Sequence, residues 1–566
     1  MRRWKSFSSL MVLGLVLAAC QSGSSQSAGP TGSTAASADG SRAPFAARSY
    51  PADAPADCAY GGEFSQIKAV DEQTVEFDLC YPDPAFLSKI GFSSNGIQDS
   101  DYLAANMVNH KILALPNGTG PYKLKEHIRG DHLTVERFDG YWGDKAIAQQ
   151  VIFQWNSEAA ARLLALQSGT VDGIDNPAPG DVATIEGDAG VTLYPREAMN
   201  VFYLGFNNTF KPFDNEKVRQ ALAIGIDRQR ILDTFYPTGS SLADYFTPCN
   251  IEFACEGNPW PAFDATTAKS MLAAAGFPNG FSSHIYMRDV DRPYLHDANV
   301  VATELQDQLA NLGITVDIVV QESGTYLDNQ TAGLLDGFYL LGWIADYPDP
   351  TNFLDYHFNN DSMLGFGTID PSIRSALDTG AQTLDADARR VAYAGANNAI
   401  LEHVPMIPIV HGASHTVFKK DVTGAHASPL AEEVFAGMDP GGRDTLIWMQ
   451  SAYPISLYCA DEEDGETFRV CDQIFDTLYA PEVGRTAPEP SLATSCDPND
   501  DGSVWTCTLR GGVRFHDGAF LDANDVVDTF AVQWDLDHPL HIGRTGTFAY
   551  WTGLFGTNLN TPPPAS

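Results

Sequence analysis

The cysteines of this chain constrain its fold more than any other feature, because eight of the nine fall as four pairs of close neighbours. The pairs are Cys58 with Cys80, Cys249 with Cys255, Cys459 with Cys471, and Cys496 with Cys507. Eight cysteines allow roughly a hundred different pairings, so the sequence leaves the connectivity open. Pairing between neighbours closes only short loops and is the simplest arrangement. The even number also fits an oxidising compartment outside the cytoplasm.

The ninth cysteine, Cys20, follows a segment typical of a secretory signal. A basic start at residues 2–5 precedes a short apolar stretch at 11–19, MVLGLVLAA. Leu17-Ala18-Ala19-Cys20 resembles a bacterial lipobox, in which the cysteine is lipidated and becomes the mature N-terminus. The alternative is an ordinary secretory signal in which Cys20 has no role. We expect an extracytoplasmic protein that a lipid anchors to the cell membrane.

The composition excludes several classes of protein. The 566 residues include 72 Asp and Glu against 34 Lys and Arg, and the net charge of −38 would repel phosphate backbones, so nucleic acid is not an expected partner. The body has no run of about 18 apolar residues, so we expect no membrane-spanning helix there. The length predicts three or four domains of roughly 150 residues, and we expect a monomer.

Residue patterns in the body predict a mixed α/β chain. Alternating apolar residues predict strands at 71–80 and 504–510. Turn-forming residues between Cys496 and Val504 predict that the second strand belongs to a β-hairpin, which a disulfide would cross-link. The apolar run at 314–320 predicts another strand. Helices are expected at 215–227, 265–275 and 298–312, with Asp214 as the N-cap of the first and Gly276 and Gly313 as C-caps of the others.

A series of short motifs then occurs in a defined order. The motifs are GTGPY at 118–122, VERFDGYWG at 135–143, LQSGTVD at 166–172, FNN at 206–208, VRQALAIGIDR at 218–228, AKSMLAAAG at 268–276, LGITV at 312–316 and GWIADYPDP at 342–350. The ordered series resembles the family 5 extracellular solute-binding proteins, which are the oligopeptide, dipeptide and nickel receptors of ABC importers. The resemblance covers nearly all of residues 58–555. It implies an α/β fold of the two-lobed type II periplasmic-binding-protein kind, with three mixed α/β domains, a hinge, and the ligand between the lobes.

The order of some motifs departs from the family. VRFHDG at 513–518 resembles a segment near the family's mature N-terminus, yet it lies near the end of this chain. Residues 441–479 resemble that N-terminus, and 71–79 resemble what should follow Phe555. The chain therefore resembles a circular permutant whose new ends open between Phe555 and Cys58. A rearranged or misassembled gene is the alternative.

The resemblance implies domain boundaries, with the permutation inside domain II. Residues 1–20 form the signal peptide, and the Ser-, Ala-, Gly- and Pro-rich residues 21–57 form a flexible tether. The domains are domain II at 58–118 and 486–558, domain I at 119–208 and 436–485, and domain III at 209–435.

The ligand site is expected just past an apolar strand, FYLLGW, that ends at Trp343. Asp346 follows, flanked by Trp343 and Tyr347, where its carboxylate can meet a cation in a cleft. In peptide-binding relatives the Asp of this motif pairs with the peptide α-ammonium and the preceding backbone pairs with the ligand. The resemblance implies these roles for Asp346 and for the backbone of Gly342 and Ile344. The alternative is that Asp346 caps a turn and Trp343 lies in the core.

Other polar residues receive less specific expectations. Tyr453, Tyr458 and Asp461 lie in the family-like start of domain I and are candidate ligand contacts. The alternative is an ordinary surface loop. The residues expected to be structural are Arg219, Asp227, Asp349, His516 and Asp517.

Several functions stay open on the sequence alone. The first is a lipoprotein receptor that delivers a small ligand, most simply a short peptide, to an ABC permease. The alternatives are a receptor for an oligosaccharide or metal chelate, a sensory binding module, and an exported hydrolase. No GxSxG, HExxH or P-loop motif supports an enzyme, although a carboxylate-pair hydrolase has no motif to test. No cofactor and no metal site is expected, because the His127–His132 and His411–His415 pairs lack a CxxC partner.

Overall fold

The computed structural model describes residues 45–288, 290, 292–359 and 363–562. The predicted signal with Cys20 lies outside the described residues. The strands are β1 (Ser49–Tyr50), β2 (Phe64–Asp71), β3 (Thr74–Leu79), β4 (Tyr122–Ile128), β5 (His132–Arg137), β6 (Gln150–Trp155), β7 (Gly173–Asp175), β8 (Val191–Arg196), β9 (Asn200–Phe206), β10 (Ser241–Leu242), β11 (Ser282–Arg288), β12 (Thr315–Gln321), β13 (Phe338–Ile344), β14 (Met406–His411), β15 (Ser414–Lys419), β16 (Thr445–Gln450), β17 (Tyr479–Pro481), β18 (Pro488–Pro490), β19 (Ala493–Pro498) and β20 (Val504–Leu509). The helices are α1 (Phe86–Ile90), α2 (Ser100–Asn106), α3 (Ala159–Gln167), α4 (Val182–Glu186), α5 (Glu216–Gly225), α6 (Arg228–Phe235), α7 (Ala265–Ala274), α8 (Ala298–Asn311), α9 (Ser323–Thr331), α10 (Pro350–Phe358), α11 (Pro371–Gln382), α12 (Ala386–His403), α13 (Gly465–Ile474), α14 (Ala523–Trp534) and α15 (Ala549–Phe555).

The described strands assemble into a five-stranded, a seven-stranded and a six-stranded sheet, with a small two-stranded ribbon. The strand orders are β1-β2-β3-β20-β19, β4-β5-β6-β16-β7-β15-β8 and β10-β14-β9-β13-β11-β12. An extensive apolar core surrounds the six-stranded sheet, where β9 and most of β13 are buried. The expected mixed α/β architecture is therefore confirmed. Among the described residues, no helix is both long and apolar enough to cross a membrane.

The chain crosses twice between the seven-stranded and six-stranded sheets, and the two crossings touch. The first crossing joins β8 to β9, and the second joins β14 to β15. The Asn200 side chain donates to Gly412 O at 2.7 Å and accepts from Gly412 N at 2.8 Å. Two adjacent connecting segments that one side chain joins are typical of a hinge.

The two crossings lie at different positions from two of the predicted domain boundaries. The predicted domain I extended to residue 208, but β9 lies in the six-stranded sheet between β13 and β14 because its apolar run fills a central position there. The predicted domain III extended to residue 435, but β15 pairs with β7 and β8 in the seven-stranded sheet. The boundaries between these two regions therefore lie at the crossings.

Residues from both ends of the body meet in the five-stranded sheet. Strand β3 pairs with β20, with Phe77 opposite Trp505. Glu63 N donates to Phe555 O at 2.8 Å, and Gly62 and Gly556 form a bridge. Residues near Phe555 therefore lie beside residues near Cys58.

The predicted tether is too long at its C-terminal end. Strand β1 lies within it and pairs with β2, with Tyr50 opposite Ile67. The Tyr50 ring contacts Trp534 with centroids 6.0 Å apart. This segment packs because it supplies an edge strand and an aromatic side chain, so the body already includes residues 46–57.

The four cysteine pairs form the expected neighbour disulfides: Cys58–Cys80, Cys249–Cys255, Cys459–Cys471 and Cys496–Cys507. The last one clips the predicted hairpin between β19 and β20.

The predicted helices correspond to α5, α7 and α8. Gly276 and Gly313 have φ values of +100° and +85°, as left-handed C-caps require. The predicted N-cap of α5 was off by one residue, because the side chain that accepts from Lys217 N belongs to Asn215 and not to Asp214.

Candidate functional site

Asp346 lies between the end of β13 and the start of α10, and its carboxylate is held from two sides. Asn352 on α10 donates Nδ2 to Asp346 Oδ2 at 2.8 Å and accepts the Asp346 backbone N–H at 3.0 Å. Tyr550 on α15 donates its hydroxyl to Asp346 Oδ1 at 2.9 Å. Burial raises the pKa of Asp346 to about 7, against the lowering effect of these two hydrogen bonds. The site therefore holds a half-buried carboxylate whose charge a cation would stabilise.

Asp346 lines a cavity of about 470 Å³, which is in the range of small-molecule sites. Aromatic side chains of Phe92, Tyr141, Trp142 and Phe475 contribute to its walls. The carboxylates in the lining belong to Asp144, Asp346, Glu432, Asp472, Asp476, Glu482 and Glu489. The described lining residues include neither Lys nor Arg, so the cavity favours a cationic ligand.

Two of these carboxylates form a close pair. The Ser93 hydroxyl lies 3.0 Å from Glu432 Oε2 and 2.5 Å from Asp472 Oδ1. Burial and the neighbouring Asp472 charge raise the pKa of Glu432 well above its usual range. Burial raises the pKa of Asp472 to about 6. Two carboxylates that share one hydroxyl repel each other when both are ionised, and this repulsion favours a proton shared between them.

Asp476 has a different environment, although it lines the same cavity. Its carboxylate accepts from Thr119 Oγ1 at 2.8 Å, Trp142 Nε1 at 2.9 Å and Tyr141 Oη at 3.1 Å. Three neutral donors satisfy this group, and they fix the orientation of the Tyr141 and Trp142 rings. Asp476 shapes the wall of the cavity.

Of the residues predicted to bind ligand, Asp346 and Tyr347 line the cavity and the others lie outside its described lining. The Gly342 and Ile344 backbone pairs with β9, opposite Phe202 and Asn200. Trp343 stacks on Tyr356 with centroids 4.1 Å apart.

The two predicted tyrosines of the region after β16 also lie away from the cavity. Tyr453 contacts His127 and Trp155 through its ring. Tyr458 is 1% exposed and packs against Phe548, which makes it a core residue. Asp461 accepts backbone N–H groups of the segment 545–548 and stabilises that turn.

The residues expected to be structural have structural contacts. Asp349 caps α10 and pairs with Arg389 at 2.9 Å, and Asp227 caps α6. Arg219 donates to the carbonyl oxygens of His403 and Phe213. His516 Nε2 lies 3.0 Å from Gly120 O, in the turn before α14.

Sequence reasoning did not identify Ser93, Glu432, Asp472 or Tyr550 as site residues. Ser93 is 379 positions from Asp472 along the chain, so no local pattern connects them. Tyr141 and Trp142 lie in the VERFDGYWG motif, and this motif was the available signal for the aromatic wall.

Comparison with known proteins places the chain in a family. The sequence profile of bacterial extracellular solute-binding proteins, family 5, matches residues 33–364 and 487–547, which is more than half of the chain. A dipeptide-binding protein of Pseudomonas aeruginosa is 28% identical over 400 residues, covering 69% of this chain and 75% of that protein. Heme-binding protein A of Haemophilus influenzae is 27% identical, covering 67% of this chain and 70% of that protein.

Solved structures agree with the sequence comparison. The dipeptide-binding protein from Pseudoalteromonas in complex with Met-Leu has a TM-score of 0.62 and 26% identity, covering 66% of this chain and 75% of that one. The expected type II periplasmic-binding-protein fold is confirmed, and so is the prediction of a binding protein in place of an enzyme. The chain belongs to the family 5 bacterial extracellular solute-binding proteins.

Proposed function

We propose that this protein captures a short peptide in the cavity beside Asp346 and delivers it to an ABC permease in the membrane. The observation that carries the proposal is the half-buried Asp346 carboxylate in the lining of a cavity of about 470 Å³. An α-ammonium loses its water when a cleft closes, so it needs a fixed anion in the protein. Asp346 supplies that anion, and Asn352 holds it in position. The relatives named as dipeptide-binding proteins support the same ligand class.

The two lobes and the hinge fit capture by closure. Asp346 belongs to the region built on the six-stranded sheet, and Tyr550 belongs to α15, which packs against the five-stranded sheet through Phe64. Opening at the crossings near Asn200 would separate these groups and expose the cavity. A ligand ammonium that meets Asp346 in the open form would favour closure.

The protein is further proposed to act at the outer face of a membrane, held there by a lipid on Cys20. The lipobox-like residues 17–20 and the four disulfides support this location. The permuted chain order is also a proposal. It is supported by the contact between Glu63 and Phe555, which brings the two ends of the body together.

A second candidate is a receptor for a non-peptide ligand, because relatives include a heme-binding protein and a neighbour in complex with agropinic acid. Native mass spectrometry of the protein purified from its own cells separates the two. The peptide proposal expects bound species with masses of dipeptides or tripeptides. A bound sugar, metal chelate or porphyrin would contradict it.

A further inference from the structure

We propose that the ligand of this cavity carries two positive charges, and that Glu432, Asp472 and Ser93 form the subsite for the second one. The inference rests on the proposed function, because Asp346 is taken to bind the first charge, the peptide α-ammonium. The proposed ligand is then a short peptide that has a Lys or Arg side chain.

One hydroxyl group serves both members of the acid pair. Ser93 Oγ lies within hydrogen-bond distance of both carboxylates, but a hydroxyl has one proton and satisfies only one of them. Two carboxylates this close cannot both be ionised without a cation, so they hold a proton between them. A ligand ammonium or guanidinium would replace that proton and supply two or more N–H donors.

The neighbouring residue Glu433 has a different environment from Glu432. Glu433 accepts from Arg469 Nε at 2.7 Å and also pairs with Arg196, away from the cavity lining. Those two arginines lower the pKa of Glu433 to about 2. Adjacent carboxylates in the sequence thus have opposite environments: Glu433 has its cations within the protein, and Glu432 has none beside it in the described cavity lining.

The rest of the cavity suits the stem of a basic side chain. Trp142 and Phe475 line it, and the guanidinium of Arg510 lies over the Trp142 ring, 4.4 Å from its centroid. Aromatic side chains accommodate the methylene groups of Lys or Arg while the charged end reaches a polar group. Asp346, Glu432 and Asp472 all line the same cavity of about 470 Å³. A short ligand can therefore reach both.

The test compares peptides that differ only in the second charge. Calorimetric titration at about pH 8 uses Lys-Ala and Ala-Lys against the same peptides with norleucine, which keeps the aliphatic stem and lacks the ammonium. We expect the wild-type protein to bind at least one lysine peptide more tightly than its norleucine partner by about tenfold or more. The double variant Glu432→Gln/Asp472→Asn should reduce that ratio to about one. Glu252→Gln, an exposed residue of the six-stranded-sheet region, is the matched control and should keep the ratio.

Each outcome is decisive. Equal binding of lysine and norleucine peptides by the wild-type protein would overturn the second subsite, and this comparison needs no variant to fold. Persistence of the ratio in the double variant would also overturn it. A third outcome separates the two proposals. If norleucine peptides bind as tightly as lysine peptides, and Asp346→Asn weakens the binding of both, the proposed function is supported and the second subsite is contradicted. If the folded wild-type protein binds no peptide of either kind, both fall.

Discussion

The hydroxyl of Tyr550 donates a 2.9 Å hydrogen bond to Oδ1 of Asp346, and this contact joins two regions of the protein built on different sheets. It favours the ionised form of a carboxyl whose pKa burial raises to about 7. A ligand ammonium that binds this carboxylate would add a full positive charge to the neutral donors Tyr550 and Asn352.

This geometry predicts that peptide binding releases a proton from Asp346 near and below pH 7. The α-ammonium binds the ionised carboxylate, so affinity should fall by up to about tenfold per pH unit below the pKa of Asp346. Calorimetry in buffers of different ionisation enthalpy measures the released proton. The Asp346→Asn variant should lose this component, which separates it from the Glu432–Asp472 pair.

The Tyr550→Phe variant sharpens the same measurement. Loss of the hydroxyl removes a hydrogen bond that lowers the pKa of Asp346, so the midpoint of the proton release should move to higher pH. Equal proton release by wild type and Asp346→Asn at every pH would show that Asp346 does not titrate on binding.

Replacement of Asn200, which joins the two crossings, is expected to lower the stability of the protein. Its side chain satisfies both backbone groups of Gly412 while 4% exposed, so Asn200→Ala leaves buried polar groups without partners. We expect the free energy of unfolding to fall by about 1–3 kcal/mol. Urea unfolding measures this, with the exposed Asn258→Ala as the control. An effect no larger than that of the control would show that the side chain does not hold the crossings together.

Much of the local structure was predictable because it depends on short patterns. The alternation at 71–80 predicts β3, and the close cysteine pairs predict disulfides that the structure contains. Asp346 was predictable because it follows an apolar strand within a recognisable motif. The cap of α5 was misassigned because Asp214 and Asn215 are both good N-cap residues.

Long-range relationships were not predictable in this way. The apolar run of β9 predicts a buried strand but carries no information about which sheet takes it. The Glu432–Asp472 pair depends on Ser93, which lies more than 300 positions away. The chain has 72 Asp and Glu residues, so the presence of an acidic residue does not by itself indicate a binding site.

The proposed membrane anchor predicts that Cys20→Ala releases the protein from the membrane fraction, because the lipid would have no thiol to modify. Cell fractionation followed by immunoblotting measures the distribution, and Ser22→Ala is the control that should stay attached. Unchanged membrane association of the Cys20→Ala protein would contradict the proposal that the protein is a lipoprotein.

The proposed permutation predicts that the chain tolerates the family's order. A rearranged gene would start at Gly441, run to residue 562, and continue through a short Gly/Ser linker into residues 46–438. The cut falls beside the exposed Gly441 and Gly442, and such sites tolerate new ends. Circular dichroism and ligand titration should match the original chain. A matched cut inside the buried strand β9 should abolish folding, and failure of both rearrangements alike would contradict the proposal.

The most direct test of the central claim is calorimetric titration of wild type and Asp346→Asn with a dipeptide and its N-acetylated form. Loss of the anion leaves the buried ammonium unpaired, so Asp346→Asn should weaken binding of the free dipeptide by at least about tenfold, or roughly 1.4 kcal/mol. Acetylation should cost the wild-type protein a similar amount and the variant little. Equal wild-type affinity for the free and acetylated peptides would contradict the role of Asp346 as the ammonium-binding carboxylate.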